Sequence, residues 1–127
     1  MKNCIVAGVI YAGYIVPGNK CGETGINIFE NNVAHSIDGS GAHIYPDPSD
    51  KSSEECYEGG FFKAYKCNDT PLTSFYASKE VRMHDMVFLD NHKGVSVMIG
   101  QEGEKLQMTM TDIQIYGEDD NLDCPDG

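Results

Sequence analysis

The segment VRMHDMVFLD at residues 81–90 lies without a gap on MTMTDIQIYG at residues 108–117, with the shared aspartates Asp85 and Asp112 spaced 27 residues apart. Short apolar segments that recur at one coil length restrict a chain to folds made by stacking equivalent units. The same organisation occurs upstream. FENNVAHSIDGSGAHIYP (29–46) and FLDNHKGVSVMI (88–99) share an order of apolar residues, an acid, an Asn and a glycine that opens an alternating apolar strand. That alignment pairs Asn31 with Asn91 and the strand beginning at Gly41 with the one beginning at Gly94. AGYIVP (12–17) reads as an earlier copy of the same strand.

The expected fold is all-β, a segment of a right-handed parallel β-helix. No segment carries sustained helical periodicity, and 14 Gly with 5 Pro fit a turn-rich chain. Each coil lays down short strands whose inward residues stack on their equivalents, because no coil can bury its apolar face alone. Ile15, Ile44, Val97, Met108, Met110, Ile113 and Ile115 are the expected inward set. Asn31 and Asn91 are the expected structural corners, since Asn tolerates a left-handed backbone and its amide can bond backbone groups there. Gly41 and Gly94 serve as backbone punctuation. Coils are expected over residues 1–118, with a loop excursion at about 47–60 where Pro, Ser and acids cluster. Residues 119–127 form an acidic tail or the start of another excursion.

Charge excludes some partners. Twenty acids against nine bases give a net charge of −11, and Arg82 is the only arginine. Nucleic acid and anionic membrane surfaces both require clustered Lys and Arg, so neither is an expected partner. Residues 1–16 have the basic start and apolar run of a secretory leader. Gly8, Gly13 and two tyrosines interrupt that run, however, and its end matches the later strand copies. No other run is apolar for long enough to span a bilayer.

The five cysteines, Cys4, Cys21, Cys56, Cys67 and Cys124, include no CxxC pair and no His at zinc-ligand spacing, so disulfides are expected rather than a metal. A Cys56 with Cys67 bridge is the first expectation and Cys21 with Cys56 the alternative; either leaves an odd cysteine. Asn68-Asp-Thr is an N-glycosylation acceptor, and with the cysteines it favours an extracellular compartment. No cofactor is expected. Calcium is the open alternative, because Glu118, Asp119, Asp120 and Asp123 are dense, although they lack the alternating spacing of a dedicated loop.

Catalysis of sugar cleavage needs two carboxyl groups placed across one glycosidic bond. The candidate titratable groups are His35, His43, His84, Asp85 and Asp112. A convergent cluster of these in a groove would favour an enzyme, and dispersal over flat faces a scaffold. A strongly acidic surface with one arginine suits anionic polysaccharides poorly.

The ordered series NCIVAGVIYAGYIVPGNKCG, FENNVAHSIDGSGAHIYP, FFKAYKC and EVRMHDMVFLDNHKGVSVMIG resembles the parallel β-helix region of fibrocystin and fibrocystin-like proteins. The motifs in that order are residues 3–8, 12–17, Cys21, 32–36 and 64–66. The resemblance implies an extracellular or ciliary-surface structural or adhesive module without catalysis, belonging to a longer chain. It also implies partners that are neighbouring coils or other subunits, with glycans as an open alternative. The related β-helices of cell-surface hyaluronidases and cell-migration-inducing hyaluronan-binding proteins make a carbohydrate-active β-helix the second expectation.

Overall fold

A computed structural model describes residues 1–16, 19–22, 29–44, 56–74, 80–97 and 107–117. The described residues form ten strands: β1 (Ile5–Ala7), β2 (Ala12–Val16), β3 (Asn19–Lys20), β4 (Val33–Ile37), β5 (Ser40–Ile44), β6 (Cys56–Cys67), β7 (Leu72–Ser74), β8 (Glu80–Leu89), β9 (Ser96–Val97) and β10 (Gln107–Tyr116). They build two sheets, one ordered β1-β4-β6-β8-β10 and the other β2-β5-β7-β9. Every pairing along these two paths is parallel. The chain visits the sheets in turn and advances one strand at each return. β3 alone runs antiparallel, against the first half of β6.

Register explains both the repeat and its irregularity. In the longer sheet Ile5 lies beside Val33, Val33 beside Lys63, Lys63 beside Val87 and Val87 beside Gln114, so the steps are 28, 30, 24 and 27 residues. The 27-residue offset read from the sequence is the register of β8 on β10. Ile44 and Val97 likewise share one column of the shorter sheet, through Ser74.

Two further columns run through the longer sheet as backbone rather than side chains. Asn3, Asn31, Phe61, Asp85 and Asp112 follow one another in register, and all have φ between 49° and 58°. Gly8, Ser36, Lys66 and Asp90 form the second column, again with positive φ. Left-handed residues turn the chain sharply, and Asn and Asp adopt that conformation at least cost among residues with a Cβ. The ladder between β6 and β8 skips Phe61 and Asp85, so each long strand is bent there into two.

Packing follows from the alternation. Phe62, Ala64, Met86 and Phe88 point inward and are fully buried, as are Ala34, Ile44 and Leu72. Phe62 sits among Tyr14, Phe29 and Phe88 with ring centroids 5.6–6.3 Å away, within the range of edge-to-face attraction. The Tyr14 hydroxyl donates to the carbonyls of Cys4 and Val33 at 2.8 and 3.1 Å, so its polar end is satisfied. Burial pushes its pKa up to about 12. A Cβ on Gly41 would fall 2.5 Å from the Pro71 carbonyl and 3.0 Å from Cβ of Ala64, so that position admits only glycine.

Several expected core positions differ. Ile15 pairs with His43 on the outer side of the shorter sheet and is 60% exposed. Ile115 does point inward, in the column of Ala64 and Phe88, but it is 56% exposed because no strand covers β10 among the described residues. Val97 is exposed for a similar reason, lying on the last described strand of its sheet. Of the expected excursion at 47–60, Cys56–Gly60 are instead the first residues of β6, carried into the sheet by pairing with Glu80–His84, and residues 47–55 lie outside the described residues. The expected tail at 119–127 lies outside the described residues.

Candidate functional site

The single disulfide among the described residues joins Cys21 to Cys56, with a Cα separation of 5.3 Å. It fastens β3 to the start of β6, beside the antiparallel pairs of Lys20 with Tyr57 and Asn19 with Glu58. The Asn19 amide takes the place of a neighbouring strand, bonding both N–H and C=O of Phe29. The expected Cys56–Cys67 bridge is therefore incorrect. Those cysteines stand at opposite ends of β6, and a strand advances about 3.3 Å per residue, far beyond the reach of a disulfide. Cys67 is instead a free thiol buried in the core, where desolvation pushes its pKa up to about 11. Cys4 is free and exposed. Cys124 and the acidic calcium candidates Glu118, Asp119, Asp120 and Asp123 lie outside the described residues.

The two corner asparagines are not equivalent. Asn31 occupies the first left-handed column and is exposed, whereas Asn91 directly follows the second column at Asp90. The Asn91 side chain accepts from the Cys67 N–H at 3.0 Å and donates to the Ala64 carbonyl at 3.1 Å. Its true counterpart is Asn32, fully buried, which accepts from the Cys4 N–H at 3.0 Å and donates to the Met1 carbonyl at 3.1 Å. Each amide thus straddles a left-handed residue of the preceding coil, Lys66 or Asn3, accepting from the N–H on one side of it and donating to a carbonyl on the other; the Met1 carbonyl accepts from the Glu30 N–H as well. The sequence signal was a residue tolerant of left-handed backbone followed by Asn, as in Asn31-Asn32 and Asp90-Asn91.

The three histidine candidates are placed apart, whereas His84, Asp85 and Asp112 lie together at the bend of β8 and β10. His35 lies past the bend of the longer sheet and stacks on Tyr65, centroids 4.9 Å apart and planes 2° from parallel. His43 belongs to the shorter sheet, edge-on to Tyr11 at 5.3 Å. Burial lowers the pKa of His43, and the negative charge of Asp69 opposes that shift. His84 precedes the bend, hydrogen-bonded to Asp85 at 2.8 Å and edge-on to Phe61. Its ring fills the space over Gly60, where a Cβ would approach it to 2.2 Å. Asp85 and Asp112 are neighbours in the first left-handed column, both exposed.

Asn68 is exposed on the turn linking β6 to β7, its amide donating to Asp38 at 2.9 Å. The hydroxyl of Thr70 in the same triplet is buried with those of Ser40 and Thr73. Beside it Lys93 holds Asp69 at 2.6 Å, and that hydrogen bond keeps the Asp69 carboxyl below the usual range.

The outer surface between the two left-handed columns was not anticipated. Two side-chain ladders cross it. One runs Ile5, Val33, Lys63, Val87, Gln114, and the other Ala7, His35, Tyr65, Leu89, Tyr116. None of these ten positions is an acid, in a chain with 20 Asp and Glu. No family model, curated protein or solved structure matches the chain.

Proposed function

We propose that the chain is a stretch of right-handed parallel β-helix of the fibrocystin-like kind, serving as a non-catalytic structural or adhesive module at an extracellular or ciliary surface. The observation that carries this reading is the pair of left-handed columns repeated at successive strands of the longer sheet. Such columns are what a coil needs at each corner, and a flat sheet has no use for them. The parallel register within both sheets and the alternation of the chain between them support the same reading. The ordered sequence motifs supply the family, and the disulfide with the exposed Asn68 is compatible with a secretory route.

A scaffold rather than a carbohydrate-cleaving role is favoured by the dispersal of His35, His43 and His84 over separate sheets and strand halves. Their neighbours are rings and a corner aspartate, contacts that hold side chains in place on a surface. The test has two arms. The chain, expressed behind a secretory leader in glycosylating cells, should carry a glycan at Asn68 that the Asn68→Gln variant lacks. Incubated with neutral and uronate-containing polysaccharides, it should release no reducing ends. Sustained turnover lost in His84→Ala or Asp85→Asn would establish the carbohydrate-active alternative.

A further inference from the structure

Asn68 and Thr70 belong to one acceptor triplet, yet the fold treats them oppositely. The Asn68 side chain is exposed, and one of its two amide hydrogens is donated to Asp38 at 2.9 Å, which leaves the second for a sugar. Thr70 is 5% exposed. Its hydroxyl lies 3.3 Å from that of Ser40 and 2.7 Å from that of Thr73, both buried. Backbone bonds fix the whole triplet as well: the Asn68 N–H donates to the Ile37 carbonyl, the Asp69 N–H donates to that of Gly39, and the Thr70 carbonyl accepts from the Gly41 N–H. Pro71, next in the chain, is fully buried.

We infer, resting on the secretory reading of the chain, that Asn68 is a glycan acceptor only while the turn from β6 to β7 is unformed, so that occupancy is decided by a race between the transferase and the pairing of β7 on β5. The acceptor is a triplet because the hydroxyl two residues beyond the asparagine is part of what the transferase recognises. In the folded chain that hydroxyl is covered, and the triplet cannot leave the backbone of residues 37–41 without breaking its bonds. The product meets no such restriction. Transfer removes one hydrogen from the Asn68 amide nitrogen, forms a bond from that nitrogen to the sugar C1 and breaks the bond from C1 to a lipid diphosphate, which leaves. The remaining N–H still serves Asp38, and the glycan extends from an exposed position. The folded chain accommodates the modification but does not accept it.

The groups that close over Thr70 determine when the opportunity ends. Ser40 and residues 37–41 precede it in the chain, and Thr73 follows it by three residues. A coil is stabilised by the coil beside it, and synthesis delivers the N-terminal coils first. Among the described residues β8, β9 and β10 supply no hydrogen bond to the Thr70 hydroxyl, so its closure does not wait for them.

The test uses the 127-residue chain made in bacteria, a purified single-subunit oligosaccharyltransferase and a lipid-diphosphate-linked oligosaccharide. One sample is native. The other is reduced and carboxymethylated in denaturant and then diluted, the blocked Cys67 keeping the core from re-forming. The unfolded chain should be glycosylated at least about tenfold faster than the native one, because only the locally open fraction of a folded chain is competent. In secreting cells, newly made wild-type chains should be partly occupied at Asn68. Gly41→Ala, whose Cβ would strike the Pro71 carbonyl and hold that segment off β5, should raise the occupancy. Met110→Ala, which loosens the last described strand, should leave it unchanged.

Equal rates for native and unfolded chains, refusal of both, full occupancy of the wild type, or an equal rise in the two variants overturns the inference. Asn68 left bare in every cell-made chain, with the contrast between native and unfolded samples intact, supports the inference and strikes only the secretory reading.

Discussion

Replacing Asn91 by Ala should destabilise the fold far more than the same change at Asn31. Asn91 provides the acceptor for the Cys67 N–H and the donor for the Ala64 carbonyl, and both residues are buried. The amide spans Lys66, whose φ of 54° turns the backbone out of the ladder. Without the amide, the buried Cys67 N–H loses its acceptor and the Ala64 carbonyl loses a donor. A made hydrogen bond contributes about 1 kcal/mol net, while an orphaned buried group costs about 1–3 kcal/mol. With partial access to water, Asn91→Ala should cost about 2–4 kcal/mol.

Asn31→Ala removes only the preference of Asn for left-handed backbone, a cost of about 1 kcal/mol, and Asn31→Gly should be close to neutral. Asn91→Asp keeps the acceptor and loses the donor, so it should fall between the two alanine variants. Urea titration gives the free energies directly, and about 3–5 °C of melting temperature accompanies each kcal/mol in a chain of this length. An Asn31→Ala cost equal to that of Asn91→Ala, or an Asn91→Ala cost below about 1 kcal/mol, would refute the assignment of the coil-bridging amide.

Other expectations follow from the same contacts. Reducing the Cys21–Cys56 disulfide opens a loop of 35 residues, for which chain entropy gives a loss of up to about 4 kcal/mol, measured as a shift of the urea midpoint with and without reductant. Iodoacetamide at pH 8 should alkylate the exposed Cys4 in the native chain and leave Cys67 unmodified until denaturant is added, as peptide mass spectrometry would register; early labelling of Cys67 contradicts its burial. Burial of His43 lowers its pKa from the ordinary 6.5, so the folded state resists its protonation. Its contribution to stability is complete above about pH 6.5 and declines as pH falls below that value. Between pH 7.5 and 5.5, where few carboxylates titrate, the wild-type urea midpoint should drop more than that of His43→Gln. An equal drop in both would place the titration elsewhere.

Much of the architecture was legible in the residues. Alternation of apolar residues specified strands, and the ungapped match of residues 81–90 with 108–117 specified parallel stacking, because no insertion separates those coils and register survives as a fixed offset. The column joining Ile44 to Val97 was legible from a different mark, Gly41 and Gly94 each standing three residues before it. Elsewhere the step between coils changes from 28 to 30 to 24 residues, and register then depends on which strands lie together in space. That is why Asn91 was matched with Asn31 rather than Asn32, and why Cys56 was paired with a cysteine near in sequence but at the far end of its own strand. It is also why Ile115, inward by pattern, is half exposed: burial requires a following coil, which alternation within one strand does not reveal. The acid-free face belongs to the same class. Its ten side chains come from five strands dispersed over the chain, and only stacking places them on one surface.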